Sequence, residues 1–231
     1  MARTNADRRV ALAVSRFNVA GEPCPDLANA EEEAREIAGM YAGLKLKAEA
    51  VTGASATTEA FRQLASGNGL SAYSALHLAT HGTSVFASDA QDEPMESKLM
   101  LQDGWIDGLE LATFHLPADV AVLSACNSGQ RAVGGRGMSS LPGDDIFGLQ
   151  SALFQAGVHT VLGGLWTLET QAACAVTSEF HRNYAQGDAA EMALQKALLR
   201  WLGEHGGAET ILWAPFFLSS LGMPGVAQAV H

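Results

Sequence analysis

The sequence predicts an α/β fold in which a central, mostly parallel sheet lies between two layers of helices, and three observations carry that prediction. Short apolar runs recur at Val10-Ala11-Leu12-Ala13-Val14, Ala75-Leu76-His77-Leu78-Ala79, Asp119-Val120-Ala121-Val122-Leu123 and Thr160-Val161-Leu162-Gly163-Gly164-Leu165-Trp166. Their length and β-branched content suit strands buried on both faces. Segments with apolar residues at helical spacing stand between them, and that alternation is the pattern of a parallel sheet covered on both sides. Finally, two of the runs end in residues that carry chemistry: Thr80-His81-Gly82 after one, Ser124-Ala125-Cys126 after another. The carboxyl ends of adjacent parallel strands border the crevice where ligands bind, so an imidazole and a thiol are expected in one cleft.

The 231 residues suffice for one large α/β domain, and no Pro/Ser-rich linker divides them, so residues 1–231 are read as a single domain. No apolar stretch reaches the roughly 18 to 20 residues that span a bilayer, and the amino end lacks a signal-peptide core. A soluble, cytoplasmic protein is expected, with no membrane partner. The net charge of −11 argues against a nucleic-acid surface, which needs clustered Lys and Arg. Cys24, Cys126 and Cys174 form no CxxC pair and no metal-ligand spacing with the histidines, which argues against a disulfide framework and a structural zinc.

The elements follow in order. Residues 10–14 are the first strand, and 17–26, with Gly21, Pro23 and Pro25, form a loop over its carboxyl end. Residues 29–40 read as a helix whose macrodipole favours Glu31, Glu32 and Glu33 at its start, with Ala34, Ile37, Ala38 and Tyr41 behind them. Residues 45–51 alternate apolar and charged side chains as an edge strand does. Thr57 or Thr58 can cap the helix through Phe61 and Leu64, and the strand leading to His81 follows. Between 84 and 107 the chain is turn-rich, with Asp103-Gly104 in a small hairpin. Asp107 caps a short helix over 108–114. The glycine-rich loop 127–143, with Arg131 and Arg136, is of a length usually reserved for function or disorder. A helix from Asp144 or Asp145 ends at Gly157 as its C-cap. Helices over 169–184 and 189–202 and a buried closing strand within 211–221, with Trp213, Phe216, Phe217 and Leu218, complete the chain.

The thiol and imidazole suit nucleophilic catalysis. A free cysteine with pKa near ~8.5 is mostly protonated at neutral pH, and a neighbouring imidazole can take that proton or stabilise the anion. Backbone N–H groups at Gly82 and after the second strand can hold a developing oxyanion where a side chain would crowd the substrate.

These residues resemble the CHAT domains, caspase-like peptidases related to separase, gingipain and the caspases. The resemblance spans nearly the whole chain. Its carriers are His77-Leu78-Ala79-Thr80-His81-Gly82, Leu123-Ser124-Ala125-Cys126-Asn127-Ser128-Gly129, Gly148-Leu149 with Phe154-Gln155-Ala156-Gly157, Gly164-Leu165-Trp166, and Trp213-Ala214-Pro215-Phe216-Phe217-Leu218. The separation of His81 and Cys126, 126 − 81 = 45 residues, is close to the roughly 50 of the caspase signature. The resemblance implies a caspase-like three-layer sandwich and a cysteine endopeptidase that works through an acyl-enzyme. It implies His81 as the catalytic histidine, Cys126 as the nucleophile, and the N–H groups of Gly82 and Cys126 as the oxyanion hole.

His77 falls on the same strand face as His81 but deeper, and reads as a buried histidine that hydrogen-bonds within the sheet rather than as a catalyst. Relatives that cleave after Arg or Lys bind that side chain with an acid near the tryptophan motif. Glu169 is the nearest acid after Trp166 here, and reads equally as a pocket acid or as a helix-start glutamate. Thr167 and Thr170 stand where relatives carry aspartates, against basic specificity. Cys174, mid-helix among alanines, reads as packing, and Cys24 has no histidine near it in sequence. Gly134-Gly135-Arg136-Gly137 lacks the Gly-Lys-Ser/Thr ending of a phosphate loop and reads as part of an active-site loop subject to self-cleavage or rearrangement. The expected partners are a protein or peptide substrate and a regulatory or sensor protein. The chemistry requires no metal or cofactor. The alternative from another class is a catalytically silent CHAT-like interaction or signalling module.

Overall fold

The computed structural model of the protein describes residues 8–19, 26–66, 73–84, 97–124, 144–164, 170–207 and 214–221. In chain order these form β1 (Arg8–Ala13), α1 (Ala30–Gly43), β2 (Lys47–Thr52), α2 (Thr58–Ser66), β3 (Tyr73–Ala79), β4 (Gly82–Ser84), β5 (Ser97–Met100), β6 (Trp105–Asp107), α3 (Gly108–Thr113), β7 (Val120–Leu123), α4 (Asp144–Gln155), β8 (Thr160–Gly164), α5 (Thr170–Ala185), α6 (Ala190–His205) and β9 (Phe216–Ser220). Six strands make the main sheet in the order β2-β1-β3-β7-β8-β9, all parallel except β9, which runs antiparallel to β8. β4, β5 and β6 form a separate antiparallel sheet.

The two-residue period of the strands sorts their side chains into two cores. Ala11, Ala13, Ala75, Ala79, Val120 and Val122 face one side, where α1, α5 and α6 cover them with Ile37, Tyr41, Phe180 and Trp201. Val10, Leu12, Leu76, Leu78, Ala121 and Leu123 face the other, against Phe61, Leu111, Leu149 and Leu153 of α2, α3 and α4. Small residues on the first face leave room for large aromatics from the helices, and the result is a three-layer α/β sandwich, as expected from the sequence.

The caps form as predicted. Thr57 Oγ1 accepts from the Ala60 N–H at 3.1 Å, Asp107 Oδ1 accepts from the Glu110 N–H at 2.7 Å, and Gly157 takes the left-handed φ of 107° beyond α4. The hairpin turn closes through Leu101 N–H to the Gly104 carbonyl at 2.7 Å. The closing strand differs from expectation. In β9 only Phe216 is buried, and Phe217 and Leu218 are half-buried, because the sheet order leaves this strand at an edge.

Candidate active site

β3 and β7 are direct parallel neighbours, with Leu78 opposite Leu123. Ser124 N–H donates to the Leu78 carbonyl at 2.9 Å, so the pairing continues one residue past β7. His81 follows Leu78 by three positions, and Cys126 follows Leu123 by three. Cys126 itself lies outside the described residues.

His81 stands where the two sheets meet. Its carbonyl accepts from Met100 N–H at 2.8 Å, the Thr80 hydroxyl donates to the Met100 carbonyl, and Gly82 begins β4 opposite Leu99. The residue is 3% exposed, and its imidazole packs against the Phe17 ring, with centroids 4.8 Å apart. The hairpin tip holds the chain beside Phe17: Asn18 N–H donates to the Gln102 carbonyl at 2.8 Å, and Gln102 N–H to the Ala56 carbonyl at 3.0 Å. Thr58 N–H donates to Asp103 Oδ1 at 2.7 Å, which ties the same tip to the start of α2.

Behind these strand ends lies a buried polar cluster. Glu33 of α1 is 5% exposed. The Thr177 hydroxyl donates to its Oε1 at 2.6 Å, the Ser124 hydroxyl meets both carboxylate oxygens at 3.2 and 3.3 Å, and the Cys174 thiol donates to Oε2 at 3.4 Å. His77 Nε2 lies 3.4 Å from Oε1, within ion-pair reach but without hydrogen-bond alignment. On its other side His77 Nδ1 is 3.2 Å from His181 Nε2, and His181 Nδ1 is 2.9 Å from the Tyr41 hydroxyl.

One arrangement of protons suits this chain of contacts. A carboxylate can only accept, so it favours the His77 tautomer with the proton on Nε2. His77 Nδ1 then accepts from His181 Nε2–H, and His181 Nδ1 accepts from the Tyr41 O–H. Both rings are neutral in this scheme. Burial lowers the pKa of His77, with Glu33 opposing the shift; burial and then the neighbouring His77 push His181 well below its ordinary value.

Several sequence expectations need correction here. His77 is buried as expected, but its partner is His181 of α5, from the helix layer rather than from the sheet. Cys174 does more than pack, because its thiol reaches Glu33. Glu33 lies in the first turn of α1, as expected, and in addition falls in register with Ala30, Ala34, Ile37 and Tyr41 on the buried face of the helix. That helical spacing was the signal that could have found it. Helical spacing likewise puts Tyr41, Thr177 and His181 on buried helix faces, but only the fold brings them together, and Ser124 and Phe17 had no comparable signal. Glu169, Cys24, Thr167, the loop 127–143 with Arg131 and Arg136, and the oxyanion-hole N–H of Cys126 lie outside the described residues.

A surface cavity of about 360 Å³ lies in the helix layer, lined by Glu36, Cys174, Ser178, Glu179, Arg182 and Arg200 among others, and neither His81 nor Ser124 borders it. Among the described residues no group of three or more His, Cys, Asp or Glu side chains is placed to hold a metal ion, and no helix is long and apolar enough to cross a membrane.

Comparison with known proteins adds a family and a fold. The family model described as CHAT domain matches residues 2–220. The crystal structure of protein GSU0716 from Geobacter sulfurreducens is similar at a TM-score of 0.52 and 16% identity, over 94% of this chain and 94% of that one; this likeness concerns the fold alone. The Drosophila initiator caspase Dronc is similar at a TM-score of 0.49 and 14% identity, over 95% of this chain and 81% of that one. No curated protein matches the chain.

Proposed function

The chain belongs to the CHAT domain family, and from that premise we propose that it is a cysteine endopeptidase with Cys126 as nucleophile and His81 as its base and acid. The observation that carries this reading is the register of β3 against β7. Parallel neighbours lie about 4.8 Å apart, and His81 and Cys126 follow the paired residues Leu78 and Leu123 at the same offset. Equal offsets from paired residues suit a thiol and an imidazole that must exchange one proton.

In this mechanism His81 takes the proton from Cys126 Sγ, and the thiolate attacks the scissile carbonyl carbon. The carbonyl π pair moves onto oxygen, where the N–H groups of Gly82 and Cys126 stabilise it. Collapse of this intermediate breaks the C–N bond, and the imidazolium returns its proton to the leaving amine. Water then attacks the thioester with His81 as base, releasing the acid and restoring the thiol.

The packing of the Phe17 ring against His81 supports control by a regulatory or sensor protein, because a histidine 3% exposed must be uncovered before substrate reaches it. Glu169 is our candidate for a P1 pocket acid, which would direct cleavage to the carboxyl side of Arg or Lys.

The test is turnover of fluorogenic peptides with Arg, Lys, Asp or Leu at P1. The expected result is cleavage that Cys126→Ala and His81→Ala each abolish while the circular dichroism stays native. Substantial activity in either variant would overturn the assignment. Were wild type silent on every peptide, labelling of Cys126 by an electrophilic peptide would indicate a latent enzyme, and no labelling would indicate the silent module.

A further inference from the structure

We propose that Glu33 is a positioning residue: its buried carboxylate holds the Ser124 hydroxyl and thereby sets the path on which the chain leaves β7, two residues before Cys126. Its consequence for catalysis rests on the peptidase reading above; its geometry does not.

Ser124 is held at two points. Its N–H donates to Leu78 in β3 at 2.9 Å, and its hydroxyl faces both oxygens of Glu33. The carboxylate is in turn fixed from α5 by Thr177 and Cys174 and faced from β3 by His77. Glu33 therefore joins α1, β3, α5 and the exit of β7 at one side chain, and it cannot follow a moving Ser124 without giving up its other contacts. Glu31, the neighbouring acid that also meets a serine, binds Ser15 and Arg35 nearer the surface. A buried carboxylate is a poor way to gain stability alone, since an apolar residue of similar volume often serves as well. What it supplies here is direction, because hydrogen bonds to a charged acceptor are short and strong.

The experiment uses the full chain with Ser124→Ala, Glu33→Gln, their combination, and Ser124→Thr, which keeps a hydroxyl. Three quantities are read: hydrogen exchange of the Ser124 amide, the pH profile of Cys126 alkylation by iodoacetamide resolved by peptide mass spectrometry, and the melting temperature. Each single variant should speed exchange at Ser124 about tenfold or more and move the Cys126 alkylation midpoint toward the ordinary thiol value of about 8.5. The double variant should do no more than the singles, and Ser124→Thr should restore the wild-type profile.

Folded single variants with wild-type exchange at Ser124 would overturn the proposal, as would fully additive effects in the double. If Glu33→Gln fails to fold, Ser124→Ala decides alone, and if Cys126 in wild type reacts as an ordinary thiol, the Ser124 exchange decides. Faster exchange in a protein whose wild type neither cleaves any peptide nor is labelled at Cys126 by an electrophilic peptide would leave the positioning role standing and remove the peptidase reading.

Discussion

His77 and His181 touch at 3.2 Å inside the protein, and both are held below the ordinary imidazole value of 6.5, mainly by burial. In the unfolded chain each returns to about 6.5. Above that value both states are neutral and the pair contributes no slope. As pH falls below it, the unfolded chain binds protons that the folded chain refuses, so stability declines until the depressed folded pKa values are reached. Each such proton is worth about 1.4 kcal/mol per pH unit. Urea midpoints should therefore fall as pH drops below about 6.5, and His181→Gln should flatten that decline; an unchanged slope in the variant would refute the assignment. At the same scale, Glu33 shows how a charged residue is chosen by geometry. Three donors, two from α5 and one from the exit of β7, surround one carboxylate, and Glu33→Ala should cost about 3 kcal/mol in urea denaturation by leaving them without it.

Helices are held by their ends and by their faces, in different proportions. The short helix α3 depends on Asp107 at its N-cap, so Asp107→Ala should lower stability by about 1 kcal/mol, read as a shift in the urea midpoint with unchanged slope. Helix α5 depends on its face. Ala173, Val176, Thr177, Phe180, His181 and Tyr184 recur at helical spacing and are all buried, with α1 and α6 packed beside them. Phe180 is fully buried, and Phe180→Ala should cost about 3–5 kcal/mol by the same measurement. One face of α5 thus carries both aromatic packing and the polar contacts to Glu33 and His77.

The molecule as a whole is a sheet whose protected centre bears the candidate site. β3 and β7 lie in the middle of the main sheet, between β1 and β8, while β2 and β9 form its edges. Native-state hydrogen exchange should therefore be slowest in β3 and β7 and faster in β2 and β9, because edge strands open without breaking the core. Faster exchange in the centre than at the edges would contradict the topology. The small sheet of β4, β5 and β6 begins directly after His81, and its hairpin tip reaches both Asn18 and Thr58. Its place is beside the strand ends, where it anchors the His81 backbone through Met100.

The six strands of the main sheet, the helices and the caps at Thr57 and Asp107 were legible in the sequence, because each is a local pattern: a run of apolar residues, a helical spacing, Thr57 or Asp107 before a helix. The register that pairs Leu78 with Leu123 was not legible. Neither was the edge position of β9, since a run such as Phe216-Phe217-Leu218 looks the same in the centre of a sheet as at its margin. Only the tertiary structure joined Glu33 to Ser124, 91 residues away, and His77 to His181, 104 away. The reason is physical: periodicity reports which face of an element is buried, whereas the partner met on that face depends on how separate elements pack.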